Sequence, residues 1–242
     1  MKELWHWHSS RLQCGATVAR WGHFGAPVLL FPTAGGDAEE VERFELVASV
    51  WPLIEDGWIK LYSVDSVAGQ AWLNQSLAVG HKCWLQNRYH EFVREEVVPA
   101  IRNDCRTPDI EIAVVGASLG AYNAVASVCR FPDVFRWALA MSGTYDLTRF
   151  TDGHLDDDLY FSSPLHFLPS LEAGSQLDAL RRRFVLLAFV QGRWEDPGES
   201  WRMAHILGDK GVPNRVDSWG PQYDHDWPVW REMLPRYLEE LL

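Results

Sequence analysis

The residues best suited to chemistry lie in the short segment 116–120, whose sequence is GASLG. It follows the apolar run IAVV at 112–115 and precedes a small-residue run at 121–126. This pattern predicts a buried strand, a tight turn and a helix, with glycines that let the strand and the helix pack closely. The turn would lift the Ser118 hydroxyl above the sheet edge at a helix N-terminus. The segment therefore predicts Ser118 as a nucleophile for attack on a carbonyl carbon.

A serine hydroxyl is a weak nucleophile and needs a neighbouring base. His225 lies in the segment YDHDW at 223–227, after the strand expected around Val216 and before the closing helix. His205 is the other late histidine, but it falls inside a predicted helix. Position along the chain therefore predicts His225 as the general base.

An acidic side chain should orient the imidazole of His225 and stabilise its protonated form. The apolar run at 184–190 is followed by QGRWEDP at 191–197, which contains Glu195 and Asp196 side by side. Asp196 directly precedes Pro197, a residue suited to a first helical turn, so its carboxylate is also expected to cap a helix. From these residues alone, the acid is either Glu195 or Asp196.

Two backbone N–H groups should stabilise the oxyanion that forms when a serine attacks a carbonyl. One is expected from Leu119, which follows the nucleophile, and the other from Ala34 or Gly35 in the turn PTAGG at 32–36. Trp72 follows the next predicted strand, and we hypothesise that it walls the substrate pocket. Packing under a loop is the alternative for this side chain. A tryptophan wall would favour small acyl groups.

Short apolar runs alternate with segments of helical spacing along the chain. Strands are predicted at 27–31, 59–64, 111–115, 137–141, 184–190 and 215–219, and helices at 41–54, 89–102, 119–129, 198–207 and 229–242. Residues 4–21 are expected to form an antiparallel hairpin at a sheet edge, and residues 146–178 a loop or partial cap. This order predicts an α/β fold with a mostly parallel central sheet and helices on both faces, as a single domain over residues 1–242.

The composition excludes several classes of protein. The 242 residues have a formal net charge of −11 and no basic stripe, which argues against a nucleic-acid partner. There is no evident signal peptide and no apolar run of membrane-spanning length, so a cytoplasmic protein without a membrane partner is expected. The four cysteines lack the spacing of a zinc site or a disulfide framework, and we expect no metal. Formation of a homo-oligomer stays open.

Four segments together carry a resemblance to a known family: GASLG, PTAGG, GRWED and HDWPVWREMLP. The sequence resembles the esterase family of α/β hydrolases that includes esterase D (S-formylglutathione hydrolase), feruloyl and enterochelin esterases and the mycolyltransferases. The spacing of His225, Trp227 and Trp230 is similar to the histidine loop of that group. The resemblance implies a single-domain α/β-hydrolase fold, acyl-enzyme chemistry at Ser118 and no cofactor. In that family the acid of the triad commonly follows, by about three residues, a glycine that closes the preceding strand. Counting from Gly192, the resemblance implies Glu195 as the acid.

The expected function is therefore that of a carboxylic-ester hydrolase with a Ser-His-acid triad, acting on small-molecule esters with small acyl groups. Three alternatives stay open. The same site could serve an acyltransferase, or a thioesterase similar to S-formylglutathione hydrolase. The chain could also be a non-catalytic binding protein on a hydrolase scaffold.

Overall fold

The computed structural model describes residues 1–242, which are organised around one sheet of eight strands. The strands are β1 (Lys2–Ser9), β2 (Cys14–Trp21), β3 (Ala26–Phe31), β4 (Ile59–Val64), β5 (Ile112–Ala117), β6 (Phe135–Met141), β7 (Phe184–Phe189) and β8 (Asn214–Ser218). Their order across the sheet is β1-β2-β4-β3-β5-β6-β7-β8. β1 and β2 form an antiparallel hairpin, β2 pairs antiparallel with β4, and the remaining pairs are parallel. The predicted edge hairpin and the mostly parallel α/β sheet are thus confirmed.

The strand order contains a reversal that determines where a ligand can bind. After β3 the chain crosses to β4 on one side and then returns to β5 on the other side of β3. The crossover segments after β3 and β5 therefore leave the sheet in opposite directions. Open α/β sheets bind ligands in the crevice that this reversal creates at the carboxyl ends of the strands.

Helices cover both faces of the sheet. They are α1 (Glu40–Arg43), α2 (Leu46–Ser49), α3 (Trp51–Glu55), α4 (Val67–Leu73), α5 (Val79–Phe92), α6 (Val98–Asp104), α7 (Leu119–Arg130), α8 (Asp157–Ser162), α9 (Pro164–Phe167), α10 (Ser175–Leu180), α11 (Pro197–Asp209) and α12 (Trp227–Leu241). A π-helical turn at Val93–Val97 joins α5 to α6, and 3-10 turns occur at Leu147–Phe150 and Leu168–Ser170. No helix is both long and apolar enough to cross a membrane.

Alternation along the central strands builds two separate cores. In β3, Val28 and Leu30 face the core that contains α1–α3 and α12, whereas Leu29 and Phe31 face the core that contains α5 and α7. Successive strand side chains point to opposite faces, so a strand buried on both sides must be apolar throughout. This explains why the continuous apolar runs were predicted correctly as central strands.

Two regions differ from the sequence-based expectation. The single helix predicted at 41–54 is three short helices. Glu45, which has a left-handed φ of 66°, separates the first from the second, and Val50, with φ of −113° and ψ of 12°, lies between the second and the third. Residues 146–178, expected to be a loop or partial cap and called the cap segment below, are more helical than that expectation: they contain α8, α9, the start of α10 and both 3-10 turns.

Helix α4 and residues 79–88 of α5, which precede the helix predicted at 89–102, were not predicted from the sequence. The inward-facing positions of α5 include Lys82, Gln86 and His90, all of which are buried. Because these polar side chains replace apolar ones on the buried face, the apolar periodicity that signals a helix is weak there.

Candidate active site

Ser118 occupies a strained turn between β5 and α7. Its backbone has φ of 56° and ψ of −122°, and its N–H donates to the carbonyl oxygen of Met141 at 3.0 Å. A Cβ atom on Gly116 would lie 2.1 Å from the backbone of Gly120, and one on Gly120 would lie 2.3 Å from the Phe31 carbonyl oxygen. Only glycine fits at both positions. A residue other than glycine at positive φ costs free energy and persists where its surroundings hold it, often at a functional site.

The side chain of Ser118 lines a small cavity of about 90 Å³, called the apolar pocket below. Its other lining residues are Ala34, Trp72, Leu73, Leu119, Thr144, Leu147 and Phe150. A larger cavity of about 510 Å³, called the polar cleft, is lined by Ser142, Gly143, Thr144, Arg149, Phe150, Trp194, Glu195, Asp196, Glu199 and His225. Thr144 and Phe150 line both cavities, so Ser118 and His225 open onto adjoining spaces.

His225 is paired with the first of the two adjacent carboxylates. Its Nδ1 lies 3.0 Å from Glu195 Oε2, and the side chains are 17% and 2% exposed. A carboxylate can only accept, so this contact requires the ring proton on Nδ1 and leaves the lone pair on Nε2 available. No hydrogen bond joins His225 to Ser118 in this structure.

Asp196 has a different role. It is the N-cap of α11, where its Oδ1 accepts from the Gly198 N–H at 3.0 Å. The expected helix cap at Asp196 is therefore confirmed. Asp196 Oδ2 pairs with Arg149 at 3.5 Å, and no hydrogen bond joins this carboxylate to His225.

The loops that carry Glu195 and His225 are joined along their backbones. The Gly192 N–H donates to the Tyr223 carbonyl oxygen at 2.9 Å, and the His225 N–H donates to that of Arg193 at 3.0 Å. The Arg193 guanidinium donates to Asp224 Oδ2 at 2.7 Å, which keeps the pKa of Asp224 below its usual value. A Cβ atom on Gly192 would lie 2.2 Å from the Tyr223 carbonyl oxygen, so glycine is required for this approach.

The indole ring of Trp230 packs against the imidazole of His225. Its ring meets that of His225 edge to face, with centroids 5.2 Å apart and planes at 82°. The indole Nε1 donates to Ser142 Oγ at 3.1 Å, and Ser142 itself has φ of 51°. From the sequence, Trp230 was expected only as part of the family pattern, although its position one helical turn after the histidine loop could have indicated this contact.

The proposed oxyanion donors lie beside the same pocket as Ser118. Leu119 is the first residue of α7, so its N–H has no acceptor within the helix. Ala34 lines the apolar pocket with it, whereas Gly35 does not. The Ala34 turn is held by Glu40, which accepts from the Thr33 N–H at 2.8 Å and hydroxyl at 2.9 Å. Burial raises the pKa of Glu40.

Trp72 both lines the apolar pocket and packs in the interior, where it is 9% exposed. Its indole Nε1 donates to Gln86 Oε1 at 2.9 Å, and Gln86 Nε2 donates to Asn123 Oδ1 at 2.9 Å. Gly69 allows helix α4 to lie close to the Ala34 turn, since a Cβ atom there would lie 2.4 Å from the Ala34 carbonyl oxygen. The pocket wall is thus fixed from two sides.

Residues 69–241 match the model of the Esterase family, described as Putative esterase. Because the match spans most of the sequence, the chain belongs to this family, and it is a carboxylic-ester hydrolase. No curated protein matches the sequence significantly.

Three solved structures are similar to almost the whole chain. A ferulic acid esterase is 17% identical, with a TM-score of 0.71 and coverage of 100% of this chain and 99% of the other. An S-formylglutathione hydrolase from Agrobacterium tumefaciens is 12% identical, with a TM-score of 0.72 and coverage of 99% and 94%. MPT51 (FbpC1) from Mycobacterium tuberculosis is 17% identical, with a TM-score of 0.69 and coverage of 100% and 97%. The expected α/β-hydrolase fold is confirmed.

Proposed function

We propose that this protein hydrolyses carboxylic esters of small acyl groups through a triad of Ser118, His225 and Glu195. The observation that supports this most is the strained Ser118 turn, which opens beside the cleft that contains the His225–Glu195 pair. Acyl transfer requires a nucleophile and a base that a third group orients, and here these lie in adjoining cavities.

In the first half of the reaction, His225 Nε2 removes the proton from the Ser118 hydroxyl as its oxygen attacks the ester carbonyl carbon. Substrate binding brings these two groups within hydrogen-bond distance, a contact that is commonly long before substrate binds. The imidazolium then protonates the leaving alcohol. Glu195 keeps the ring proton on Nδ1 in the resting state and stabilises the imidazolium once it forms.

In the second half, His225 Nε2 removes a proton from water, whose oxygen attacks the acyl carbon. The bond between that carbon and the Ser118 oxygen then breaks, the imidazolium returns the proton to the Ser118 oxygen, and the acid is released. In both halves the negative charge on the substrate oxygen is stabilised by the N–H groups of Leu119 and Ala34. The position of Leu119 at the start of α7 adds the positive end of the helix dipole.

The acyl part of the ester would bind in the apolar pocket and the alcohol part in the polar cleft. A volume of about 90 Å³ lined mainly by apolar side chains suits a short acyl chain. The polar cleft of about 510 Å³ falls in the usual range for a ligand site, roughly 300–1,000 Å³, and would take the larger alcohol part of the ester.

The test is an activity panel with the wild type and Ser118→Ala. It contains p-nitrophenyl esters of increasing acyl length, matched thioesters, and reactions with added alcohol acceptors. We expect kcat/KM to be highest for the shortest oxygen esters and kcat of Ser118→Ala to fall by about 10⁴-fold or more. Equal rates for the variant would contradict the triad. A preference for thioesters or for transfer to the acceptors would favour a thioesterase or an acyltransferase instead.

A further inference from the structure

Away from Ser118 and His225, three side chains with metal-binding chemistry converge. They are Cys83 on α5 and the pair His154 and Asp156 on the cap segment, and their ligand atoms all lie within 4.8 Å of one another. His154 Nε2 is 3.2 Å from Asp156 Oδ2. No sequence motif indicates this group, because the cysteine lies far along the chain from the other two residues.

The donor set is one that suits zinc. Zn²⁺ binds thiolate, imidazole and carboxylate ligands at roughly 2.0–2.3 Å in tetrahedral geometry, which places neighbouring ligand atoms about 3 to 4 Å apart. The present separations need only a small contraction to reach that range. Cys83 is buried, whereas the side chains of His154 and Asp156 are 48% and 31% exposed, so an ion can enter from solvent on their side.

The surroundings orient two of these ligands. Asp156 Oδ1 accepts from the Leu159 N–H at 2.9 Å, which leaves Oδ2 directed toward His154. The carbonyl oxygen of His154 accepts from the Thr151 hydroxyl at 2.8 Å, which fixes the turn that carries the imidazole. Outer contacts of this kind commonly raise metal affinity because they reduce the reorganisation of the ligands.

We propose that Cys83, His154 and Asp156 bind one Zn²⁺ ion, with water in the fourth position, and that the ion ties the cap segment to α5. Cys83 belongs to the same small buried cluster as Trp72 and Leu147. Leu147 and Phe150 on the cap segment line the apolar pocket, so the ion would hold this pocket wall in place. The effect on substrate binding rests on the proposed function, whereas the metal binding does not.

The experiment uses Co²⁺ as a spectroscopic substitute for Zn²⁺ on the 242-residue chain after treatment with a chelator. We expect one equivalent of Co²⁺ to bind, with a thiolate-to-Co²⁺ charge-transfer band that Zn²⁺ abolishes by displacement. Cys83→Ser should lose the band. His154→Ala should weaken binding by about tenfold or more. Cys14→Ser, at a cysteine of the edge hairpin, is the matched control and should keep the band.

Thermal unfolding provides a second readout that does not depend on Cys83. Zn²⁺ should raise the Tm of the wild type and of Cys14→Ser, but not that of His154→Ala, whose exposed side chain can be removed without disturbing the core. Absence of the charge-transfer band in the wild type, or equal metal binding by His154→Ala and the wild type, would overturn the proposal. Ester hydrolysis is also measured in excess chelator, where no metal is bound. This assay tests the proposed function independently of the metal site.

Discussion

The carboxylate of Glu195 lies 3.0 Å from His225 Nδ1, whereas that of the next residue, Asp196, points to the start of α11. Trp194 has a left-handed backbone with φ of 69° immediately before this pair. The turn gives the two neighbouring carboxylates different partners, an imidazole for one and a helix N-terminus for the other. A single structural feature therefore separates a predicted catalytic acid from a helix cap.

Replacement of Glu195 by Gln should lower kcat by a few powers of ten and leave the fold intact. An amide is a poorer partner for the imidazolium and can favour the wrong tautomer, which costs about 10⁴-fold in another serine hydrolase. Steady-state kinetics on a short acyl ester, with circular dichroism as a check of folding, measures this effect.

The control for that variant is Asp196→Asn. It should keep most of the activity and lower the free energy of unfolding by about 1 kcal/mol or less, because asparagine is also a good N-cap. An inactive Asp196→Asn beside an active Glu195→Gln would reverse the assignment of the acid.

Gly192→Ala should reduce kcat strongly because the added Cβ would press on the Tyr223 carbonyl oxygen and push the His225 loop away from Glu195. Gly208→Ala is the matched control, since a Cβ there meets nothing within 4 Å and lies in a helix. We expect this control to be fully active and up to about 1 kcal/mol more stable. The measurements are steady-state kinetics and urea unfolding of both variants. A fully active Gly192→Ala would contradict the claim that the close approach of Gly192 to Tyr223 positions His225 beside Glu195.

The acyl-length profile should respond to the wall of the apolar pocket. Trp72→Ala and Phe150→Ala both enlarge this cavity, so the ratio of kcat/KM for longer to shorter acyl esters should rise. Phe161→Ala removes another exposed aromatic side chain of the cap segment that does not line the pocket, and its profile should match the wild type. Unchanged profiles in Trp72→Ala and Phe150→Ala would rule out this cavity as the acyl site.

Stability should fall as the pH drops below about 6.5, partly because of His90. Burial first, and the nearby Arg130 charge second, lower the pKa of His90 to about 3, so the folded protein keeps it neutral. Below the unfolded pKa of about 6.5, the unfolded chain binds a proton that the folded chain does not, which costs up to ~1.4 kcal/mol per pH unit.

The measurement is the free energy of unfolding by urea at about pH 6.5 and about pH 5, a window above the usual range of carboxyl pKa values. His90→Gln should show a smaller loss across this window than the wild type, whatever its absolute stability. Burial also lowers the pKa of His166, but that contribution is common to both proteins. Equal slopes would mean that His90 does not titrate differently in the two states.

The parts of the molecule that were predictable from the sequence are those encoded by local pattern. Apolar runs predicted the central strands, and the small residues around Ser118 predicted its turn. The order of residues along the chain placed His225 after the last strand. Asp196 before Pro197 predicted a helix cap, which the structure confirms.

The unpredicted parts depend on contacts between distant segments. The pairing of Gly192 with Tyr223, and of Arg193 with Asp224, leaves no local pattern. Helix α5 was only partly predicted because its buried face carries polar side chains, which form hydrogen bonds in the interior. The apolar stripe that usually indicates a helix is therefore interrupted. The left-handed residue Glu45, which divides the predicted helix at 41–54, is likewise not indicated by its residue type.

The most direct test of the central claim is the site at which a fluorophosphonate reacts, located by intact-mass analysis and peptide mapping. We expect one adduct per chain, on Ser118, with ester hydrolysis lost in proportion to labelling. His225→Ala should react much more slowly, because the serine then lacks its base. A label on another residue, or a Ser118→Ala variant that is still labelled and still hydrolyses esters, would contradict the assignment of Ser118 as the nucleophile.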